Sequence, residues 1–237
     1  MSRPTQFTID LQALCENART LKGLAGTRRT MAVVKADAYG HGAAQCARAL
    51  SPLVDAFAVA ITEEAVALRD AGIDLPILVL QGPHSLEDAQ IMSSAALWPA
   101  ISSEHQIDWL EQTGPQFEQV WLKCDTGMHR LGFMPDEIMP ARSRLTPHSV
   151  SDMVLMSHFA DAEAPDSMLT ERQLLRWAQV SDAAPIGSFS NSAATAGQIE
   201  TWESWMRLGY SLYGGSLVAL PDGYSLKPVM QFESRIA

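Results

Sequence analysis

Short runs of apolar, often β-branched residues alternate along this chain with longer stretches whose apolar positions recur every three or four residues. The short runs read as strands covered on both faces, the longer stretches as amphipathic helices. The pattern predicts strands over Met31–Lys35, Ala56–Ala60, Ile77–Leu80, Leu97–Ile101, Gln119–Cys124, Met153–Ser157, Pro185–Ser188 and Ser204–Leu208, after an opening helix over Asp10–Leu24. Helix signals fill the gaps. "TEEAVALRDAG" (Thr62 to Gly72) has Thr62 as a capping candidate and stops at a glycine, and "APDSMLTERQLLRWAQV" (Ala164 to Val180) starts at Pro165–Asp166. Parallel strands need such crossovers, and eight of them point to a closed (β/α)8 barrel of the TIM type, with an open doubly wound sheet as the alternative. The last stretch, "LKPVMQFESRIA", sets apolar Met230, Phe232 and Ile236 against polar Gln231, Glu233 and Arg235. That is strand periodicity, and it reads as an unpaired first strand of a second, β-rich domain, dividing the chain into a barrel over 1–223 and the start of a β domain over 224–237.

Length and charge sharpen this picture. A chain of 237 residues fits one such barrel, and a formal net charge of −10 argues against nucleic acid or anionic membrane as a partner. No apolar run reaches signal-peptide or membrane-spanning length, so cytoplasm is the default location. Cys15, Cys46 and Cys124 form no C-x-x-C pair and the histidines no H-x-x-x-H pair, so no metal site is expected.

Barrel position turns ordinary polar residues into candidates, because chemistry in this fold collects where strands end. Lys35 follows "MAVV" and Lys123 follows "QVWL"; Arg130 comes after the fifth strand, His158 closes the sixth, Ser192 follows the seventh and Arg207 lies in the eighth. A buried lysine near other cations is a usable amine nucleophile towards a carbonyl. Ser192 and the "RLGY" run from Arg207 to Tyr210 follow strands seven and eight, the usual seat of a barrel's phosphate. A carbonyl and a phosphate on one small molecule suggest pyridoxal 5′-phosphate, although many barrels bind plain sugar phosphates.

"AVVKADAYGHG" resembles the cofactor-lysine signature of bacterial alanine racemases, and "KCDTGMHRLGF", "SHFADAE", "SNSAAT" and "RLGYSLYG" resemble later motifs of that family in the same order. The resemblance implies interconversion of L- and D-alanine, which supplies D-alanine for peptidoglycan. It implies that Lys35 holds pyridoxal 5′-phosphate as an internal aldimine and acts as the base on one face of the α-carbon. Tyr39 and Ser192, with backbone N–H groups around Gly209 and Tyr210, would seat the phosphate. Arg207 would face the pyridine nitrogen and, unable to give up a proton readily, would leave it unprotonated. His158 would bridge Arg207 and the cofactor side, and Arg130 would approach the ring hydroxyl and the substrate carboxylate. Lys123 matches a position carbamylated in many members, where it braces the neighbouring arginine.

The remaining polar residues have plainer readings. His41 and His129 suit loops or the rim; Asp37 and Asp125 suit Asx turns. The tryptophans suit packing, with Trp205 the one to test for a site contact. Two features depart from the family: Leu208 stands where proline is usual, and nothing matches the second-domain tyrosine that family members contribute across a homodimer interface to the opposite face of the substrate. The expectation is a chain that binds the cofactor and racemises alanine slowly at best. The rival readings are a single-domain pyridoxal-phosphate carrier without catalysis and a barrel-type amino-acid decarboxylase.

Overall fold

The computed structural model describes residues 5–235 except 115 and 165, so the predicted helix start at Pro165 and the end of the terminal strand at Ile236 lie outside the described residues. Eight parallel strands close into a barrel: β2 (Arg29–Val33), β3 (Ala56–Val59), β4 (Ile77–Val79), β5 (Trp98–Ile101), β6 (Trp121–Lys123), β7 (Val154–Met156), β8 (Ile186–Ser188) and β9 (Trp205–Leu208), with β9 pairing back onto β2. The helices that cross between or flank them include α1 (Leu11–Ala25), α3 (Ala43–Leu50), α4 (Thr62–Asp70), α5 (Leu86–Ser94), α6 (Glu104–Thr113), α7 (Ile138–Leu145), α8 (Met168–Gln179) and α9 (Ser192–Ala196), while α2 (Lys35–Gly40) is a distorted turn considered below. All eight predicted strands are present, each with ends within a few residues of its sequence range.

Both faces of the sheet are buried, which explains the unbroken apolar runs. Alternate residues fill the barrel interior: Met31 and Val33, Ala56 and Ala58, Trp98 and Ala100, Val154 and Met156. Trp98, Trp121 and Trp205 crowd together there, their ring centroids 5.8–6.2 Å apart. The intervening residues, among them Ala32, Phe57, Val59 and Leu155, join a second cluster against the helices. Trp205 therefore belongs to the barrel plug, with the Arg29 guanidinium 4.2 Å from its ring centroid, and makes no part of the cavity described below.

Three local expectations are corrected. The terminal strand is not unpaired: β10 (Met230–Glu233) pairs antiparallel with β1 (Gln6–Ile9), Phe7 opposite Phe232 with centroids 4.9 Å apart. Thr62 does not cap α4, because Ile61 holds the cap position and the buried Thr62 hydroxyl lacks a partner; the nearby Glu64 carboxylate takes the Ala60 amide instead. Asp166, expected in the first turn of its helix, precedes it: α8 starts at Met168, capped by the Ser167 hydroxyl on the Thr170 amide. The first helix is as expected, with the Asp10 carboxylate accepting from the Ala13 amide.

Candidate active site

Side chains inside the barrel alternate, so the residue two beyond the last interior apolar position points into the mouth. Lys35 stands two after Val33, Lys123 two after Trp121, His158 two after Met156 and Arg207 two after Trp205. A cavity of about 330 Å³ opens there, and Lys35, Tyr39, Lys123, Arg130, His158, Ser192, Arg207, Gly209 and Tyr210 all line it. Its charged lining is Lys35, Lys123, Arg130 and Arg207 against the single carboxylate of Glu163. In a protein of net charge −10, a cationic mouth marks a site for a small anion.

The Arg207 guanidinium is buried. It donates to the Ser188 hydroxyl, to the carbonyls of Ser157 and Phe189, and to His158 Nδ1 at 3.1 Å. Burial lowers its pKa to about 10 and Glu203 works against that shift, so it stays charged at neutral pH. Burial, then the charge of Arg207, push His158 well below its usual pKa. A neutral ring that accepts from Arg207 at Nδ1 carries its own proton on Nε2. Glu203, its side chain fully buried, accepts the Phe189 and Ser190 amides and the Ser190 hydroxyl, which fixes the end of β8.

On another wall the amides of Gly209 and Ser211 converge on the Ser192 hydroxyl at 2.9 and 3.3 Å. A Cβ at residue 209 would meet the Tyr39 hydroxyl at 2.8 Å, so glycine keeps this cradle open. Desolvation raises the Tyr39 pKa, which keeps the phenol protonated and able to donate. Ser211 was absent from the sequence-based set although it lies inside "RLGYSLYG".

Arg130 sits exposed on a loop that closes on itself, Asp125 N–H to the Phe133 carbonyl and Phe133 N–H to that of Lys123. Asp125 braces the loop by accepting from the amides of Gly127 and His129 and from the His129 ring, the Asx role expected of it. Gly132 is obligatory, since φ is +126° and a Cβ would lie 2.7 Å from the Asp125 nitrogen. His41 is likewise occupied within its loop, its Nδ1 on the Ala38 carbonyl and its ring against Tyr213.

Lys123 is buried, and burial, then Arg207 and Arg130, lower its pKa from 10.5 to about 7. Between those values the unfolded chain binds a proton that the folded chain does not, so this residue makes stability rise with pH. The expected slope is about 1.4 kcal/mol per pH unit at its steepest, fading above the unfolded value. Chemical denaturation across that range checks it: Lys123→Met should flatten the slope, and an unchanged slope would refute the assignment.

The segment after Lys35 is unusual. Ala36, Asp37, Ala38 and Tyr39 all have φ between 51° and 55°, a left-handed turn of four non-glycine residues. Each costs about 1–2 kcal/mol, and such strain persists only where its surroundings impose it. Asp37 holds the far end by accepting from the Ala43 amide at 2.7 Å, and Tyr213, its hydroxyl on the Val33 carbonyl, packs against Tyr39 with centroids 5.1 Å apart.

The family description "Alanine racemase, N-terminal domain" matches residues 9–217. The alanine racemase of Pseudomonas entomophila is 43% identical over 99% of this chain and 67% of its own length. The chain belongs to the alanine racemase family. The catabolic alanine racemase of Pseudomonas aeruginosa is 40% identical over 99% of this chain and 67% of its own length. The crystal structure of biosynthetic alanine racemase from Pseudomonas aeruginosa superposes with a TM-score of 0.89 at 35% identity, covering 97% of this chain and 66% of that one. This alanine racemase family chain thus spans about two thirds of the length of the relatives it matches. No helix among the described residues is long and apolar enough to cross a membrane.

Proposed function

We propose that this chain is the cofactor-binding barrel of a pyridoxal-phosphate-dependent alanine racemase. The observation that carries the reading is one cationic cavity lined together by an amine, a charged guanidinium and an anion cradle. The residues fit the cofactor: an amine for its aldehyde, two amides and a hydroxyl that a phosphate could engage, and room kept open by Gly209. Pyridoxal phosphate, when bound, supplies an electron sink that acidifies the α-proton of an amino acid. Lys35 would hold it through its amine and, once freed, remove or return that proton at Nζ. Ser192, Tyr39 and the amides of Gly209, Tyr210 and Ser211 would hold the phosphate. Arg207 would keep the pyridine nitrogen unprotonated, with His158 fixed beside it. Arg130 would receive the substrate carboxylate. Lys123, half neutral near pH 7, has the free amine that carbamylation requires, and a carbamate there would convert repulsion from Arg130 and Arg207 into attraction.

Racemisation needs a proton acceptor on one face and a donor on the other. Tyr213 is committed to a backbone carbonyl and Tyr39 to the cradle, while Tyr210 and Tyr224 are half-exposed and match no second-base motif, so the 237 residues by themselves are expected to bind cofactor and to interconvert alanine slowly. We assign 1–223 to the barrel and 224–237 to the first strand of a β domain; homodimerisation and a cytoplasmic location belong to the same reading. Titration with pyridoxal phosphate followed in the visible, beside chiral analysis of L- and D-alanine, tests it. Expected are a bound chromophore and slow exchange. Absence of the chromophore overturns the reading, and a chromophore with no exchange whatever favours the carrier alternative.

A further inference from the structure

We infer that Glu64 is a positioning residue that imposes the left-handed turn and so sets where the Lys35 amine stands in the cavity. The inference rests on the proposed role of Lys35 and extends it to a carboxylate on a different element.

The geometry is specific. Glu64, half-buried in the first turn of α4, accepts the Ala36 amide on Oε1 and the Ala60 amide on Oε2, both at 2.7 Å. Ala36 is the first left-handed residue after Lys35, and Ala60 follows β3, the strand paired with β2 through Val33 and Ala58. One carboxylate therefore ties the ends of two neighbouring strands at the mouth, and both Lys35 and Ala60 line the cavity.

Left-handed φ values are unfavourable for residues with a Cβ, and relaxation of Ala36 would swing the Lys35 peptide. Hydrogen bonds to a charged group are stronger than those between neutral groups, so the pair held by Glu64 works directly against that relaxation. Asp37 and the Tyr213 ring hold the far end of the turn; at the Lys35 end the Tyr213 hydroxyl fixes the Val33 carbonyl and the Ala38 amide the Val34 carbonyl, and Glu64 alone takes the amide of Ala36, the first left-handed residue. Glu64→Gln is the sharpest perturbation: the side chain keeps its size but presents an N–H to one of two N–H donors.

The test compares wild type, Glu64→Gln and Glu64→Asp with two probes. Pyridoxal 5′-phosphate reports covalent capture by Lys35, read by absorbance and borohydride trapping with peptide mapping. Pyridoxine 5′-phosphate has no aldehyde and reports the phosphate cradle alone. The variants should bind the second probe as wild type does, yet form the Lys35 adduct about tenfold or more slowly, the scale set by misplacing a reacting group by about 1 Å. Hydrogen exchange at Ala36 and Ala60, measured without ligand, should accelerate together. Equal loss of both probes would mean a general structural role and overturn the inference, as would wild-type adduct rates with unchanged exchange. If wild type itself forms no adduct at Lys35, the cofactor reading fails, and the exchange result still decides the role of Glu64. The aspartate variant, one methylene shorter, serves where glutamine prevents folding.

Discussion

Replacing Lys35 by alanine is expected to abolish the visible absorbance of cofactor-treated protein completely while leaving the barrel folded. Lys35 is half-buried at the mouth, its amine 5.9 Å from the centroid of the Tyr39 ring, so truncating it removes little packing. The stability change should stay within about 1 kcal/mol, since the side chain is half-buried and outside the packed core. Ser192, Gly209 and Ser211 are untouched, so the variant should still bind pyridoxine 5′-phosphate through the cradle. The informative complication is Lys123, the other lysine in the cavity, whose amine is half neutral near pH 7. Peptide mapping after borohydride reduction separates the two: wild type should carry the adduct on Lys35 and Lys35→Ala on neither. An adduct mapped to Lys123 in wild type would move the assignment from β2 to β6.

The barrel was readable because its strands are short, apolar and buried on both faces, and because turn signals separate them from helices of a different period. The same alternation carries Lys35, Lys123, His158 and Arg207 to the mouth, which is why strand ends alone nominated them. What could not be read depends on contacts distant in sequence or opposed to local preference. The pairing of Gln6–Ile9 with Met230–Glu233 joins two exposed segments from opposite ends of the chain, neither of which declares its partner. The left-handed turn contradicts the propensity of Ala36 and Ala38, so no local rule predicts it. Glu64 was visible only as an acid in a first helical turn, a position explained equally well by the helix dipole. Its two amide partners lie at other strand ends, and only the folded chain brings them within reach.

Substituting Arg207 by methionine should be the most destabilising single change at the site, and it should also move the titration of a different residue. Methionine approximates the length of the side chain but donates nothing. The Ser157 and Phe189 carbonyls, the Ser188 hydroxyl and His158 Nδ1 would all lose the N–H they accept, the first three on fully buried residues. An orphaned buried acceptor costs about 1–3 kcal/mol, and partial relaxation brings the set to a total of about 3–5 kcal/mol. For a chain of this size that corresponds to a fall in Tm of roughly 10 °C. The second effect has a definite sign. After burial, Arg207 is the largest influence lowering the Lys123 pKa, and it also lowers that of His158. Removing the guanidinium should therefore raise Lys123 above about 7, move the pH range over which stability climbs towards alkaline values, and slow any reaction that needs the neutral amine. Thermal unfolding across pH, with isotope-edited observation of the lysine amine, measures both effects. A Lys123 titration unmoved in Arg207→Met would leave burial and the other cations, Arg130 and Lys35, as its causes and sever the electrostatic link between β6 and β9. A shift in the expected direction would establish that Arg207 and Lys123 repel each other across the mouth while the strands β6 and β9 hold both cations in place.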